Sequence, residues 1–404
     1  MSPFDHHSSS VGDSSSPLLN SFDYQPRTRV VFGCGVFGQL GDLAAEFGSR
    51  CVLLVTDRGL RAVGHADRAA EILQRSGIDV ALYDHVHENP TTDDVDACVK
   101  FASGHNVDLI IGLGGGSSMD CAKGTNFLLT NGGRMHDYRG VGKAKKPMLP
   151  MIAVPTTAGT GSEAQSFAVI ADAETHMKMP CGDPRAACRV AVLDPELTVT
   201  MPRSVAAATG IDAMTHAIES YVTTRRNPIS QMFARQAWLL LSRSFTTVLQ
   251  EPGNLAARGD MQLGAMLAGA AIENSMLGAA HACANPLTAR FPLIHGIAVG
   301  VMLPHVIRWN SVTVADLYRD LAVAAGWCES TVADGTAAGI LADRFREFLD
   351  AAQMPDRLSV AVDTPLDDPI LEELAAGAAQ QWTGTFNPRK MDAAGFKDLY
   401  RNAG

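Results

Sequence analysis

A change of pattern near residue 200 constrains the fold more than any single motif. Between about residue 25 and Pro195, short apolar runs alternate with helix-like stretches. Residues 51–56 are apolar and β-branched and stop at Asp57; residues 79–83, 108–112 and 151–154 repeat the form. Between them lie 67–76 and 92–103, the latter opened by Thr92 and acidic residues that suit a helix N-terminus. Parallel neighbours need a crossover, so this alternation predicts a largely parallel sheet with helices on both faces. After Leu197, Ala, Leu, Met and Arg recur at helical spacing, most clearly over 231–241 and 260–272. The expected architecture is an α/β nucleotide-binding domain, residues 25–200, followed by an all-helical domain, residues 201–404. Residues 1–24, rich in serine and poor in apolar side chains, read as a disordered tail.

Bulk properties narrow the partners. A chain of 404 residues exceeds one compact core, and about 150–200 residues per domain gives roughly two. With 33 basic and 43 acidic residues the net charge is -10, which disfavours nucleic acid or an anionic membrane as partner. No apolar run approaches the ~20 residues of a membrane span, and no secretory leader is legible. The eight cysteines (34, 51, 98, 121, 181, 188, 283 and 328) form no C-x-x-C pair and suit a reducing cytoplasm.

Three loops follow strand-like runs. Gly33-Cys34-Gly35-Val36-Phe37-Gly38 matches G-x-G-x-x-G, with Asp57 nineteen residues beyond Gly38 as a ribose ligand or, equally, as a helix N-cap. Gly112-Leu113-Gly114-Gly115-Gly116-Ser117 is better supplied. Successive glycines let backbone N–H groups approach an anion at the positive end of the next helix, and Ser117 adds a hydroxyl. The pyrophosphate is expected here. Thr156, Thr157 and Thr160, in Pro155–Ser162, offer a wall of small hydroxylated residues for a sugar or nicotinamide.

The most informative stretch is Asp212-Ala213-Met214-Thr215-His216. Four residues apart on a helix, a carboxylate and an imidazole share one face among apolar neighbours, and a buried carboxylate there needs a positive partner. His281 and His295 stand in similarly small or apolar surroundings. Three imidazoles and one carboxylate suit Fe²⁺ or Zn²⁺. His305 reads as a packing residue, and His65, His85, His87, His105, His136 and His176 lie in polar stretches that read as exposed.

These pieces together resemble the iron-containing (group III) alcohol dehydrogenase family. The resemblance rests on Gly114–Ser117 with Asp120 and Lys123, on Pro155–Glu163, and on Leu193-Asp194-Pro195-Glu196-Leu197. It continues through Gly210–Glu219, the His281 segment, His295-Gly296, Leu303-Pro304-His305 and Asn387-Pro388-Arg389, and so spans residues 25–404 in order. It implies the dehydroquinate synthase-like, iron-containing alcohol dehydrogenase architecture, with the active site between the two domains. It implies a divalent metal on Asp212, His216, His281 and His295, iron before zinc. It implies Asp57 at the adenosine ribose, which would favour NAD(H) over NADP(H), and Asn89 near the adenine. Gly115 to Asp120 would meet the pyrophosphate, and Thr156, Thr157, Thr160 and Lys178 would line the rest of the cofactor. The G-x-G-x-x-G loop then becomes a strand-to-helix turn without a phosphate.

The implied reaction interconverts a small alcohol and its aldehyde or ketone, by hydride transfer at an oxygen polarised by the metal. A homodimer or higher homo-oligomer is implied as well. Two departures stand out. Many members carry a histidine four residues after the third ligand, where this chain has Asn285, which cannot relay a proton near neutral pH. Ala164-Gln165-Ser166 and Thr288 also differ from the usual residues, and predict a more polar substrate pocket. Three readings compete: a related reductase, a lyase, and a non-enzymatic metal- or nucleotide-sensing protein, which would bind NAD without turnover. A metal-independent maleylacetate-type reductase would lack much of the ligand set. A dehydroquinate synthase-like lyase needs basic residues for a phosphorylated substrate, and residues 201–300 contain no lysine.

Overall fold

A computed structural model describes residues 21–175 and 177–404. Most of the expected tail, and His176, lie outside the described residues. Strands β1 (Arg29–Phe32), β2 (Cys51–Val55), β3 (Asp79–Tyr83), β4 (Leu109–Gly114), β5 (Gly140–Val141), β6 (Met151–Pro155), β7 (Phe167–Ala171), β8 (Lys178–Gly182) and β9 (Val190–Leu193) all precede residue 200. Six form a parallel sheet in the order β1-β9-β6-β4-β2-β3, and β5-β8-β7 form a small second sheet with β7 and β8 antiparallel. The expected strands are present within two residues of their ends.

β4 and β6 are buried along their whole length and β2 nearly so, as the continuous apolar runs require. Helices α1 (Leu40–Ala45), α2 (Arg58–Ala62), α3 (His65–Arg75), α4 (Thr92–Ala102) and α5 (Gly116–Asn131) link the strands. One apolar cluster, including Leu43, Leu73 and Val52, packs one face of the sheet, and another, including Phe127, Cys98 and Leu53, packs the other. α4 starts where expected, but its cap is Thr91, not Thr92: Thr91 accepts from the Asp94 N–H, and Asp94 accepts from the Thr91 N–H at 2.8 Å.

From residue 203 on the chain is helical: α6 (Arg203–Val222), α7 (Pro228–Gln250), α8 (Leu255–Asn274), α9 (Ala279–Arg290), α10 (His295–Ala324), α11 (Asp334–Ala352), α12 (Leu358–Ala361), α13 (Asp368–Ala379) and α14 (Ala393–Ala403). Their core centres on α6, whose residues from Gly210 to Val222 are all buried. α10 is long and apolar enough to cross a bilayer by composition, yet 61% of that stretch is buried inside the fold, so it reads as a core helix. Val314 breaks its helical geometry.

The parallel sheet changes direction between β2 and β4: β2 leads outward to β3, and β4 leads the other way to β6. Crevices at the carboxyl ends of strands at such a reversal are where open α/β sheets receive ligands. Asp57 follows β2 there, Gly114–Gly116 follow β4, and Thr156–Thr160 follow β6.

Candidate metal centre and the adjoining cleft

α6 is a buried helix that carries three polar residues on one stripe, Asp212, His216 and Glu219, spaced four and three apart. α9 brings His281 in its first turn and α10 begins at His295. The two glycine-to-helix contacts make this approach close. A side chain at Gly296 would overlap the backbone carbonyl of Ala208 on α6, and one at Gly300 would lie 2.8 Å from Ile211.

Three of the four expected ligands, Asp212, His216 and His281, each bring a ligand atom within 4.8 Å of the others, and His295 stands next to Asp212. Asp212 Oδ1 lies 3.3 Å from His216 Nε2, 3.3 Å from His281 Nε2 and 3.9 Å from His295 Nε2. The His216 and His281 rings stack at 4.8 Å between centroids. Asp212 Oδ1 and His281 Nε2 are both buried without a hydrogen-bond partner. Leaving such atoms unsatisfied is costly, and lone pairs aimed at a common centre from a carboxylate and imidazoles are the donor set of a divalent transition metal. The residues present fit the metal.

Electrostatics favours the same state. Burial opposes the Asp212 charge, but the nearby His216, His281 and His295 outweigh it and hold the carboxyl below its ordinary range. Burial keeps His216 and, more strongly, His295 neutral and able to ligate, with Lys178 adding to the effect on His295. His281 differs. Burial lowers its pKa, yet the carboxylates of Asp212 and Glu219 beside it raise it to about 9.

Glu219 is the residue that spacing did not single out. Its Oε2 accepts from His281 Nδ1 at 2.6 Å, and its Oε1 accepts from the Ala280 N–H at 2.7 Å. It thereby fixes the ring so that Nε2 faces Asp212, as a carboxylate behind a ligating histidine does. The only hint was its place three residues beyond His216. Asn387 acts one step further out, accepting from Ala279 N and paired with Asn310 through both amides.

Several of the expected cofactor residues lie at the carboxyl ends of β4 and β6. Gly114 has φ +148°, outside the range of most side chains; Gly115 caps α5; and Gly116 admits Thr160 where a Cβ would lie 2.6 Å from its methyl. Thr157 faces Gly115, and the Thr156 N–H donates to Gly114 O. The Asn89 N–H donates to Ser117 Oγ at 3.2 Å. Asp57 is the N-cap of α2, its Oδ1 accepting from the Leu60 N–H.

Lys178 is half-buried. Burial lowers its pKa, opposed by the fields of Asp212, Asp120 and Glu88, which puts it between the metal cluster and α5. Asp120 turns toward the protein: Ser162 Oγ donates to it at 2.7 Å and the Val169 N–H at 3.2 Å.

Several residues lie elsewhere. In the G-x-G-x-x-G loop the Phe37 N–H donates to Asp194 Oδ2 at 3.0 Å, so a carboxylate of the chain itself stands where a phosphate would. His65 is buried and bonded to Thr200, contrary to its polar sequence context, while His305 is half-buried beside Arg346. The polar substitutions are partly engaged within the chain. Gln165 donates to Thr160 O, Ser166 bonds Glu273 through both N–H and hydroxyl, and Asn285 donates to Gln381 Oε1.

A parallel sheet with a glycine-cradled crevice, set against a buried carboxylate, two buried histidines and the half-buried His295, defines a metal-dependent, nucleotide-linked oxidoreductase. Known proteins agree. The model of the iron-containing alcohol dehydrogenase matches residues 26–195, and that of the C-terminal part of the Fe-containing alcohol dehydrogenase family matches 206–404. The NAD-dependent methanol dehydrogenase of Bacillus methanolicus is 32% identical, over 92% of this chain and 97% of its own. The 1,3-propanediol dehydrogenase of Citrobacter freundii is 32% identical, over 95% and 98%. The solved alcohol dehydrogenase from Oenococcus oeni superposes with a TM-score of 0.91 at 30% identity, covering 95% of this chain and all of that one. The chain belongs to the iron-containing alcohol dehydrogenase family.

Proposed function

We propose that the chain interconverts a small alcohol and its aldehyde or ketone with NAD(H), using iron, or zinc in its place, on Asp212, His216, His281 and His295. One observation carries the reading: Asp212 Oδ1, buried and unpartnered, with three imidazole Nε2 atoms within 3.9 Å. When bound, the metal supplies Lewis acidity toward a substrate oxygen and the nicotinamide exchanges hydride with the adjacent carbon. Glu219 keeps His281 turned inward, and the alanine-rich walls of α6 and α9 exclude water. Asn285 orients without titrating.

Residues 25–200 are proposed as the dinucleotide-binding domain and 201–404 as the metal-binding domain. Gly114, Gly115, Gly116 and Ser117 would cradle the pyrophosphate at the start of α5. Thr156, Thr157, Thr160 and Lys178 would face the nicotinamide half, and Asp57 and Asn89 the adenosine half. Asp120 would act on the cofactor through the segments it holds. A carboxylate at the end of β2 repels a 2′-phosphate, which supports NAD over NADP. The free edge of β1, with Val30 and Phe32 exposed, supports a homodimer, and eight free cysteines support a reducing, cytoplasmic setting.

Protein purified without oxygen should carry a divalent metal and reduce aldehydes faster with NADH than with NADPH. The His281→Ala variant should lose both metal and turnover while still binding NAD. Full turnover by that variant, with metal absent by elemental assay, would refute the proposal.

A further inference from the structure

The hairpin of β7 and β8 has one closed face and one open face. Ala168, Ile170, Met179 and Cys181 point into the α/β core, so the alternate residues, Phe167, Val169, Lys178 and Pro180, point away from it. Lys178 stands at one end of the open face, opposite Ala171 in the hairpin. At its other end the Phe167 ring meets Trp382, 215 residues on, with ring centroids 5.9 Å apart. Trp382 comes from the helical half and is 37% exposed, and its own edge-on neighbour is Phe386.

The helical side leads back to the metal by a short path. Gln381, next to Trp382, accepts from Asn285, and Asn285 stands one turn after His281 on α9. The apolar rings are thus tied from one side to a metal ligand's helix and from the other to the hairpin bearing Lys178. Phe167 is itself fixed, because its carbonyl accepts from Lys123 Nζ at 2.9 Å and its ring packs over Gly182.

We propose that Phe167 and Trp382 form the end wall of the substrate pocket and restrict it to short, unbranched alcohols. The inference rests on the alcohol dehydrogenase reading above. Val169 and the two rings offer only apolar surface to the tail of the substrate. The Asn285 amide gives one of its N–H groups to Gln381, which ties α9 to the segment that carries Trp382. Since the wall is built from both halves, substrate length is read where the halves meet.

The test compares primary alcohols from ethanol to 1-octanol, with NAD and the metal-loaded enzyme. Wild-type kcat/KM should fall beyond a few carbons. Trp382→Ala and Phe167→Ala should raise the ratio of 1-hexanol to 1-propanol by about tenfold or more, the scale on which an apolar pocket discriminates by size. Trp382→Phe should keep a profile near wild type. A second readout is independent of turnover: with NAD present, short alcohols should shift tryptophan emission in the wild type but not in Trp382→Phe. An unchanged chain-length profile in both alanine variants, with melting temperatures near wild type, overturns the wall. A wild type that prefers benzyl alcohol and loses that preference in Trp382→Ala also overturns it, because the rings would then bind an aromatic substrate. If the metal-loaded wild type oxidises none of the alcohols, the failure lies in the underlying reading instead.

Discussion

At the residue scale, the ligands and the residue that aims them differ in how far the sequence exposes them. Asp212 and His216 were legible because a helix of known period, apolar on both sides, left a carboxylate and an imidazole with nowhere to go but inward. His281 and His295 were legible only as polar exceptions in small-residue surroundings, and it took their number to make a site. Glu219 was not legible, since its partner His281 lies 62 residues away on another helix. Its role yields a sharp expectation. Glu219→Gln keeps the shape and one acceptor but removes the charge behind His281, so metal affinity should drop by about 10- to 100-fold while NAD affinity stays within error. Competition with a fluorescent chelator measures the first and nucleotide titration the second. Equal metal affinity in the variant would show that Glu219 serves only to pack α9.

At the scale of elements, helix contacts without side chains decide whether the ligands meet. α10 reaches α6 through Gly296 and Gly300, and it is this approach that sets His295 beside Asp212. Gly296→Ala should push the start of α10 outward, because the backbone carbonyl of Ala208 cannot move aside as a side chain would. Overpacking of this kind typically costs about 1–3 kcal/mol. The denaturant midpoint should fall accordingly, and metal affinity should fall with it, whereas a change at an exposed glycine with open space, such as Gly253, should alter neither. Stability lost with metal affinity intact would separate the two roles. In the α/β half, strand and helix ends were readable from apolar runs and caps to within a residue or two, whereas 231–241 and 260–272 caught only parts of α7 and α8. The G-x-G-x-x-G loop shows where such reading stops. Its spacing suits a nucleotide, yet Asp194, 157 residues away, supplies the carboxylate that occupies its amide.

At the scale of the whole molecule, the alternation of strands and helices foretold two differently built halves, but nothing in it told how they join. The seam joins one close backbone approach to several side-chain contacts. Gly161, with φ +61°, packs directly on Gly269 of α8, and Gln262 of α8 donates to Pro155 O. Glu273 holds Ser166 and pairs with Arg27. Glu163 sits within this seam, buried in the turn that α8 covers. Burial raises its pKa to about 7, against the opposing pull of its backbone hydrogen bond and of Lys123. In the unfolded chain the same carboxyl titrates near 4.5. Between those two values the folded state holds a proton that the unfolded state has released, so stability must decline as pH rises through that window. The shift corresponds to roughly 3 kcal/mol in all, complete by about pH 8. Glu163→Gln carries no charge at any pH and keeps the shape. Its stability relative to wild type should therefore grow between pH 5 and pH 8, and be near zero below pH 4.5. Urea midpoints of both proteins across that range measure the difference directly. A difference that stays flat with pH would mean that Glu163 is ionised in the seam, paired with Lys123 as a structural salt link.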